Sequence, residues 1–417
     1  MRKILSFLLA LVIATFPLLS AVAEAHEEVT LYFYTENATN GANEARLAEF
    51  SALYPWIHVE LIEMPAGATD RMQLLSTNLQ ARENGEMDVF IVDCTWPETF
   101  VSAGWLANLD EMLTEDDLAG FSAGALEGCR SNGSLYCLPL FLNTGAMLYR
   151  ADLLEKYHFQ PATTWDELIE QSKVVMAGEE GVSGYAAAWQ QAEALTCCTM
   201  EHIWNAGGDV IDLEGNPDFD NAAVASGIAE MKKLLDSGVC ADGILGMAAK
   251  AVRAEFFAGQ ILYARDWSVQ IGNANNPENS AVAGNVKLAP LPVSTDGNAS
   301  YNCNGGWNIG ISAFSKHKEE ALLLVKYWIS ESAMLYNATL NSKMPARPSL
   351  YADSAMSTDM ASMQILAENS KNRPNSAFYE EVSAAMQQAV TDVLMGSIQI
   401  DEALQTLQEI EEEIYSR

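Results

Sequence analysis

The chain has 417 residues, of which 23 are lysine or arginine and 56 are aspartate or glutamate, so its formal net charge is −33. Such a surface repels phosphate backbones and anionic lipid headgroups, which excludes nucleic acid and the membrane surface as partners. The length also exceeds the size at which one hydrophobic core keeps growing, so we expect two lobes.

Residues 1–25 have the pattern of a cleaved secretory signal peptide. Arg2 and Lys3 precede an apolar run, and the segment closes on the small-residue pattern Ala23-Glu24-Ala25. The run is shorter than the roughly 20 apolar residues that span a bilayer. Because the first cysteine is Cys94, no cysteine near the cleavage site is available for lipid attachment. We therefore predict a freely diffusing protein that is periplasmic or secreted.

Strand and helix patterns alternate in the part of the chain that follows. The apolar segments VTLYFY (29–34), IHVELIE (57–63) and DVFIV (88–92) are separated by helical patterns at 44–54 and 70–82. This alternation predicts a parallel α/β sheet. Asp93 then lies just past the carboxyl end of a buried strand, where ligands of open α/β sheets bind.

The pattern stays mixed through the middle of the chain and becomes helical at its end. Two further strands, at 135–140 and 144–149, lie on either side of a turn, and amphipathic helices follow around 222–235 and 248–257. From Ser315 onward nearly every segment has helical periodicity. We expect an α/β fold of two lobes whose segments interleave, with helices closing the C-terminus.

The cysteine count is odd, at seven, so at least one thiol has no partner within the chain. Cys129 and Cys137 flank the turn at 130–134 and could face each other across a hairpin. In an oxidising compartment we therefore predict a bridge between these two residues. Spacing leaves the remaining pairings open.

Metal-binding and catalytic patterns are weak in this sequence. The five histidines are far apart and no Cys-x-x-Cys pair occurs, so we expect neither a metal site nor a cofactor. No Gly-x-Ser-x-Gly nucleophile elbow is present. A glycosidase stays open as an alternative, because Asp93, Glu193 and Asp266 are acids near aromatic residues, and two such carboxylates can serve as acid and nucleophile.

Several tryptophans lie beside acids, amides or glycines, namely Trp96, Trp189, Trp267 and Trp307. Sugars present apolar C–H faces that stack on aromatic rings, and hydroxyl edges that need charged or amide partners. The pattern therefore favours carbohydrate binding, although a tryptophan taken singly more often belongs to a core. Gly305 and Gly306 favour a binding role for Trp307, because glycine lets another group approach the backbone closely.

A series of motifs covers nearly the whole chain after residue 25. In order, they are EFSALYPWIHVEL, MDVFIVDCTWPETFVSAGWLANLD, LYCLPLFLNTGAMLYRADLLEKY, TTWDELIE, EALTCCTMEHIWNAGG, FFAGQILYARDW, CNGGWNIGIS, MPARPSLY and RPNSAFYEEVSAAMQ. With these motifs the chain resembles the substrate-binding proteins of ABC sugar importers, solute-binding family 1, and in particular the trehalose/maltose-binding type.

The resemblance implies a fold, a site and partners. The fold is the type II periplasmic-binding-protein fold, two lobes joined by a hinge, with lobe 1 at 26–141 and 313–355 and lobe 2 at 142–312 and 356–417. The family's binding residues fall on Arg71, Asp93, Glu193, Trp267, Gly305, Gly306, Trp307 and Arg347. The implied partners are a small-molecule sugar and, by transient docking, the permease subunits of the membrane transporter. We expect the protein itself to be a monomer.

The sequence departs from the resembled family at three positions of the implied site. Asn143 stands where relatives have an aspartate, and it can donate as well as accept hydrogen bonds. Phe141 and Val269 replace aromatic hydroxyls, and the N-terminal glutamate of relatives has no clear counterpart between Glu36 and Glu44. We predict a non-catalytic protein that closes on a neutral sugar, a disaccharide such as trehalose or maltose, with a polyol or other small solute as the alternative ligand.

Overall fold

The computed structural model describes residues 26–36, 41–81, 86–212, 218–295, 298–356, 358–374 and 376–415. The predicted signal peptide lies outside these residues. Within them, no helix is long and apolar enough to cross a membrane.

Strands and helices alternate through the described residues. The strands are β1 (Val29–Glu36), β2 (Ile57–Met64), β3 (Val89–Asp93), β4 (Arg130–Ser131), β5 (Ser134–Leu135), β6 (Cys137–Phe141), β7 (Gly145–Arg150), β8 (Ser183–Ala186), β9 (Ile261–Trp267), β10 (Val286–Ala289), β11 (Asn302–Cys303), β12 (Trp307–Ile311) and β13 (Ser370–Lys371). The helices are α1 (Ala42–Leu53), α2 (Ala68–Ala81), α3 (Pro97–Ser102), α4 (Glu115–Leu118), α5 (Ala123–Glu127), α6 (Ala151–Lys156), α7 (Trp165–Gly178), α8 (Glu193–Asn205), α9 (Ala222–Asp236), α10 (Ala249–Phe257), α11 (Gln270–Ala274), α12 (Lys318–Trp328), α13 (Glu331–Asn341), α14 (Thr358–Glu368), α15 (Tyr379–Leu394) and α16 (Ile400–Tyr415). Two short 3-10 segments are Ile244–Gly246 and Pro348–Ala352.

The first sheet contains the three strands predicted near the N-terminus. Its order is β2-β1-β3-β12-β6, with β1 parallel to β2 and β3, and β12 antiparallel to both of its neighbours. All five residues of β3 are buried, which explains why that strand reads as an unbroken apolar run ending in Asp93. The prediction of these strands is confirmed.

A second sheet has the order β10-β7-β9-β8 and its own hydrophobic core. The two strands predicted on either side of a turn are present as β6 and β7, but they belong to different sheets. The segment 142–144 between them therefore carries the chain from one lobe to the other. A second crossing, at 304–306, lies beside the first, because Thr144 and Asn304 form an isolated β-bridge.

The lobe bounds inferred from sequence remain a prediction, and one strand bears on them. Strand β12 pairs with β3 and β6 in the first sheet, although the predicted bounds assign residues up to 312 to the second lobe. Alternating apolar positions could not reveal this, since a strand pattern does not say which sheet a strand joins.

The predicted disulfide between Cys129 and Cys137 is absent, since all seven cysteines are free thiols. The predicted hairpin is present as β4 and β5, with Asn132 and Gly133 both at positive φ. It places Cys137 near Cys129, but the Cys137 Sγ lies 3.9 Å from the carbonyl oxygen of Cys129, and no S–S bond is made. The prediction of a hairpin is confirmed, and the prediction of a disulfide is wrong.

Candidate functional site

Chemically distinct side chains meet at the sheet edge, which is the end of the first sheet where β1, β3 and β6 finish and β12 begins. Glu36, Asp93 and Phe141 are the last residues of β1, β3 and β6. Trp307 is the first residue of the antiparallel strand β12, and it pairs in register with Asp93 and with Phe141. Two carboxylates, a phenyl ring and an indole therefore stand side by side at the end of the sheet where α/β proteins bind ligands.

Arg71 of helix α2 lies over the ring of Trp307. Its guanidinium carbon is 4.6 Å from the ring centroid, and its Nε donates to the carbonyl oxygen of Pro65 at 2.5 Å. Burial lowers the pKa of Arg71 to about 10, and the Asp93 charge opposes this, so the guanidinium stays protonated near neutral pH. Among the described residues, neither Nη atom has a hydrogen-bond partner. Arg71 therefore holds unused donors beside an aromatic face.

Arg373, which has no role in the sequence prediction, joins the two acids that were predicted for opposite lobes. Its side chain is 2% exposed. Its Nη2 donates to Asp93 Oδ1 at 3.1 Å, and its Nη1 contacts Glu193 Oε1. The only trace of Arg373 in the sequence is its place in the motif RPNSAFYEEV, which gives no partner. The structure thus brings Asp93 and Glu193 together through a buried cation.

The two carboxylates differ in how many of their oxygens are occupied. Glu193 Oε1 accepts from the Tyr379 hydroxyl at 2.5 Å as well as from Arg373, and Oε2 accepts from Ser383 at 2.5 Å. Asp93 Oδ1 accepts from Thr95 and Arg373. Asp93 Oδ2 accepts no hydrogen bond from a described residue and is not sealed from solvent. It is the free acceptor of the site.

A protonatable acid lies next to this pair. Burial raises the pKa of Glu380, in the first turn of α15, to about 7, and the charges of Glu193 and Asp93 add to the effect. The indole of Trp96 opposes this rise in the pKa of Glu380. Trp96 itself is 2% exposed and meets Trp307 edge to face, with ring centroids 5.4 Å apart. Trp96 therefore belongs to the core and packs against the Trp307 ring.

Asn143 lies in the crossing segment between the lobes. Its Oδ1 accepts from the backbone nitrogen of Thr144 at 3.0 Å and from the Ser268 hydroxyl at 3.2 Å. Its Nδ2 has no partner among the described residues. Asn143 Oδ1 therefore links the crossing at 142–144 to Ser268, the residue after Trp267. The Nδ2 group stays available to donate a hydrogen bond to a ligand.

The glycine pair brings Trp267 against the second crossing. A Cβ atom on Gly305 would lie 2.1 Å from the Trp267 ring, so only glycine fits there. A Cβ atom on Gly306 would lie 3.0 Å from the carbonyl oxygen of Phe141. Both contacts require close approach of the backbone, as the sequence suggested. Gly305 comes two residues before Trp307, the first residue of β12. The Trp267 ring, at the end of β9, therefore lies close to the start of β12.

Arg347 is not brought together with the other predicted residues. Its guanidinium lies over the ring of Phe121, 3.9 Å from the centroid, and its Nη atoms donate to the carbonyl oxygens of Ala119 and Asp117. None of these contacts is with a residue of the sheet edge. As for metals, the described part of the chain has no group of three His, Cys, Asp or Glu side chains that could hold an ion.

Two lobes that face each other across paired crossings, with aromatic and charged groups at the sheet edge, define a solute-binding protein. The profile of the family described as bacterial extracellular solute-binding protein matches residues 35–335, and the chain belongs to that family. Membership was predicted from the motifs and is confirmed. Because the family binds solutes and does not transform them, the glycosidase alternative is wrong.

Individual relatives agree with this assignment. The "Probable ABC transporter-binding protein" of Deinococcus radiodurans is 27% identical over 402 residues, 93% of this chain and 94% of that protein. The maltose-bound MalE3 of T. maritima is 29% identical with a TM-score of 0.87, covering 93% of this chain and 100% of that one. A ribitol-bound solute-binding protein from Agrobacterium radiobacter K84 shares the fold, with 22% identity and a TM-score of 0.81 over 93% and 99%. The predicted type II periplasmic-binding-protein fold is confirmed.

Proposed function

We propose that the chain is the exported substrate-binding component of an ABC carbohydrate importer, and that its lobes close on a neutral sugar, a disaccharide such as maltose or trehalose. The observation that carries the proposal is the sheet edge at which the Trp307 ring, the Arg71 donors and the free Asp93 Oδ2 meet. A sugar ring stacks on an indole, and its hydroxyls pair with charged donors and acceptors.

Closure brings the second lobe onto the ligand. Hinge motion about the crossings at 142–144 and 304–306 is the form of closure expected of this fold. Trp267 and the Asn143 amide would then meet the sugar from the side opposite Trp307. The maltose found in MalE3, the relative at 29% identity, supports a disaccharide of glucose as the first ligand to test.

The remaining parts of the proposal concern location and partners. The signal-peptide pattern supports export to the periplasm or the medium, and the family name places its members outside the cell. The Deinococcus radiodurans relative is named for an ABC transporter, which supports transient docking of the closed monomer on permease subunits. The binding role predicted for Arg347 stays a prediction, because its guanidinium lies over Phe121 and not at the sheet edge.

A ligand screen tests the proposal directly. Purified mature protein is titrated with maltose, trehalose, ribitol and D-mannitol, with calorimetry and tryptophan fluorescence as readouts, and product release is followed by chromatography. We expect saturable binding of a disaccharide with no turnover. If only a polyol binds, the ligand is a polyol and not a disaccharide. If none of the probes binds, the proposal is contradicted.

Asn143→Asp adds information on the ligand. The substitution restores the acid of the resembled family and removes the free Nδ2 donor. If the ligand is that family's usual disaccharide, affinity should rise, by about threefold to tenfold. A fall in affinity would mean that the amide donates to the natural ligand.

A further inference from the structure

A lysine that the sequence reading did not single out lies at the same sheet edge. Lys343 follows helix α13, and its ammonium is ion-paired with Glu36 at the end of β1. The same ammonium is 4.5 Å from the centroid of the Phe141 ring at the end of β6. One side chain therefore contacts the ends of two strands of the first sheet.

Those two strands are not neighbours. In the order β2-β1-β3-β12-β6, strands β3 and β12 lie between β1 and β6. At roughly 4.8 Å per strand, the ends of β1 and β6 are about 14 Å apart. The Lys343–Glu36 pair must therefore extend across the ends of the two central strands, where Asp93 and Trp307 stand. This places Lys343 over the region where the proposed ligand binds.

The backbone fixes this position. Leu142 and Met344 form an isolated bridge, with the Leu142 nitrogen donating to the Met344 oxygen at 2.8 Å. Ser342, just before Lys343, has φ 53, a left-handed backbone conformation that is uncommon for serine, and it ends helix α13. The lysine therefore lies in a turn that is hydrogen-bonded to the crossing at 142–144.

The Lys343 ammonium has N–H donors that no described residue uses. It carries three N–H groups, and its contacts among the described residues are one Glu36 oxygen and the Phe141 ring. Burial lowers the pKa of Lys343 to about 7, while the Glu36 carboxylate favours the charged form. Yet the two side chains keep 15% and 21% of their surface exposed. A deeply placed pair that still reaches solvent adds little to stability and suits contact with a ligand.

We infer that Lys343 is a ligand-binding, specificity-determining residue, whose ammonium donates to one hydroxyl of the bound sugar beside Phe141 while Glu36 accepts from the adjacent hydroxyl. The inference rests on the proposed function, since it assigns a role within the same cleft. A donor and an acceptor held side by side select a vicinal diol, and a ligand lacking either hydroxyl leaves a buried polar group unpaired.

The test compares Lys343→Met, which keeps the apolar stem, with Lys173→Met, which removes an exposed lysine of α7 whose side chain is 52% accessible. Both variants and the wild type are titrated calorimetrically with maltose, trehalose, ribitol and D-mannitol. For the probe that wild type binds, we expect Lys343→Met to weaken binding at least tenfold and Lys173→Met to leave it within twofold. Affinity of Lys343→Met within twofold of wild type would overturn the inference.

Monodeoxy derivatives of that probe separate direct contact from a structural role. Removing the hydroxyl that meets Lys343 should weaken binding to wild type and leave the affinity of Lys343→Met unchanged. If every derivative loses the same factor in both proteins, Lys343 does not contact the ligand and the inference fails. A wild type that binds no probe is a different result, because it contradicts the proposed function and the inference falls with it.

A measurement on the wild type covers the case in which Lys343→Met does not fold. Lysines are acetylated with acetic anhydride in the presence and absence of the bound probe, and the modified peptides are quantified by mass spectrometry. The ligand should slow acetylation of Lys343 at least fivefold and leave Lys173 unaffected. Equal rates at Lys343 with and without ligand would overturn the inference.

Discussion

Asp93 and Glu193 are both ion-paired with Arg373, but their carboxylates differ in how many oxygens are free to contact a ligand. Arg373 contacts Oδ1 of Asp93 and Oε1 of Glu193. Asp93 keeps its second oxygen free at the sheet edge, whereas both oxygens of Glu193 accept from side chains of the C-terminal segment. The first acid is thus available to a ligand, and the second is used to hold the chain together.

The same asymmetry extends to the residues around each acid. Beside Asp93 lie the unused Arg71 donors and the Trp307 ring. Around Glu193, Tyr379 donates to Oε1 and Ser383 donates to Oε2, so each carboxylate oxygen already has a partner within the protein. We infer that recognition is concentrated on the first lobe, and that the second lobe contributes mainly the Trp267 face and the Asn143 amide on closure.

The largest expected effect comes from removing the shared cation. Arg373→Met should lower the free energy of unfolding by about 3–5 kcal/mol, because it leaves two buried carboxylates without their partner. Urea denaturation of the ligand-free protein measures this. Lys232→Met, which breaks a more exposed pair with Asp236, should cost no more than about 0.5 kcal/mol. Equal losses in the two variants would show that Arg373 does not hold the lobes' acids in place.

Next in size is the aromatic platform beside Asp93. Trp307→Ala should weaken sugar binding by about 2–3 kcal/mol, since it removes the stacking surface and the support for Arg71. Trp56→Ala is the matched control, because Trp56 is also half-buried but precedes β2, at the opposite edge of the sheet. Calorimetric titration gives the affinities, and melting curves report the fold. A large fall in melting temperature with little change in affinity would assign Trp307 to the core.

Sequence patterns predicted the strands around Asp93 better than they predicted the side-chain contacts of Asp93 and Glu193. All five residues of β3 are buried, so this strand is an unbroken apolar run in the sequence, and the position of Asp93 follows from its end. In β1 every second residue is buried, and that alternation also indicates a strand. The strand β12 was harder to place, because its partners are far away along the chain.

The contacts of the cleft depend on residues that are distant in sequence. Arg373 is 280 residues from Asp93 and 180 from Glu193, and Lys343 is 307 from Glu36. No local periodicity reports such pairs. Arg347 shows the converse, since its motif matched a binding arginine while its guanidinium lies on Phe121. A motif identifies a residue type in a segment, and only the packing of segments decides where the side chain points.

The comparison between the two acids can be tested with matched amide substitutions. In Asp93→Asn the donors from Thr95 and Arg373 keep the amide oxygen at the Oδ1 position, so the NH2 group replaces the free acceptor. We expect a loss of about 1.5 kcal/mol in sugar binding, roughly tenfold. Glu193→Gln should change affinity less than about threefold and instead lower the melting temperature. If Glu193→Gln loses as much affinity as Asp93→Asn, the second acid also contacts the ligand.

The smallest effect concerns Glu380, the acid beside the pair, and it depends on pH. Its pKa is raised to about 7 in the folded protein, so the folded state binds more protons than the unfolded state between the ordinary glutamate value and pH 7. This contribution to stability is present at low pH and is lost as pH rises through 7. Glu380→Gln cannot ionise, and it should be more stable than wild type by about 1 kcal/mol at pH 8 and equal to it near pH 4.5. Urea denaturation at the two pH values measures the difference, and a gap that does not change with pH would mean that burial and the charges of Glu193 and Asp93 do not raise the pKa of Glu380 in the folded protein.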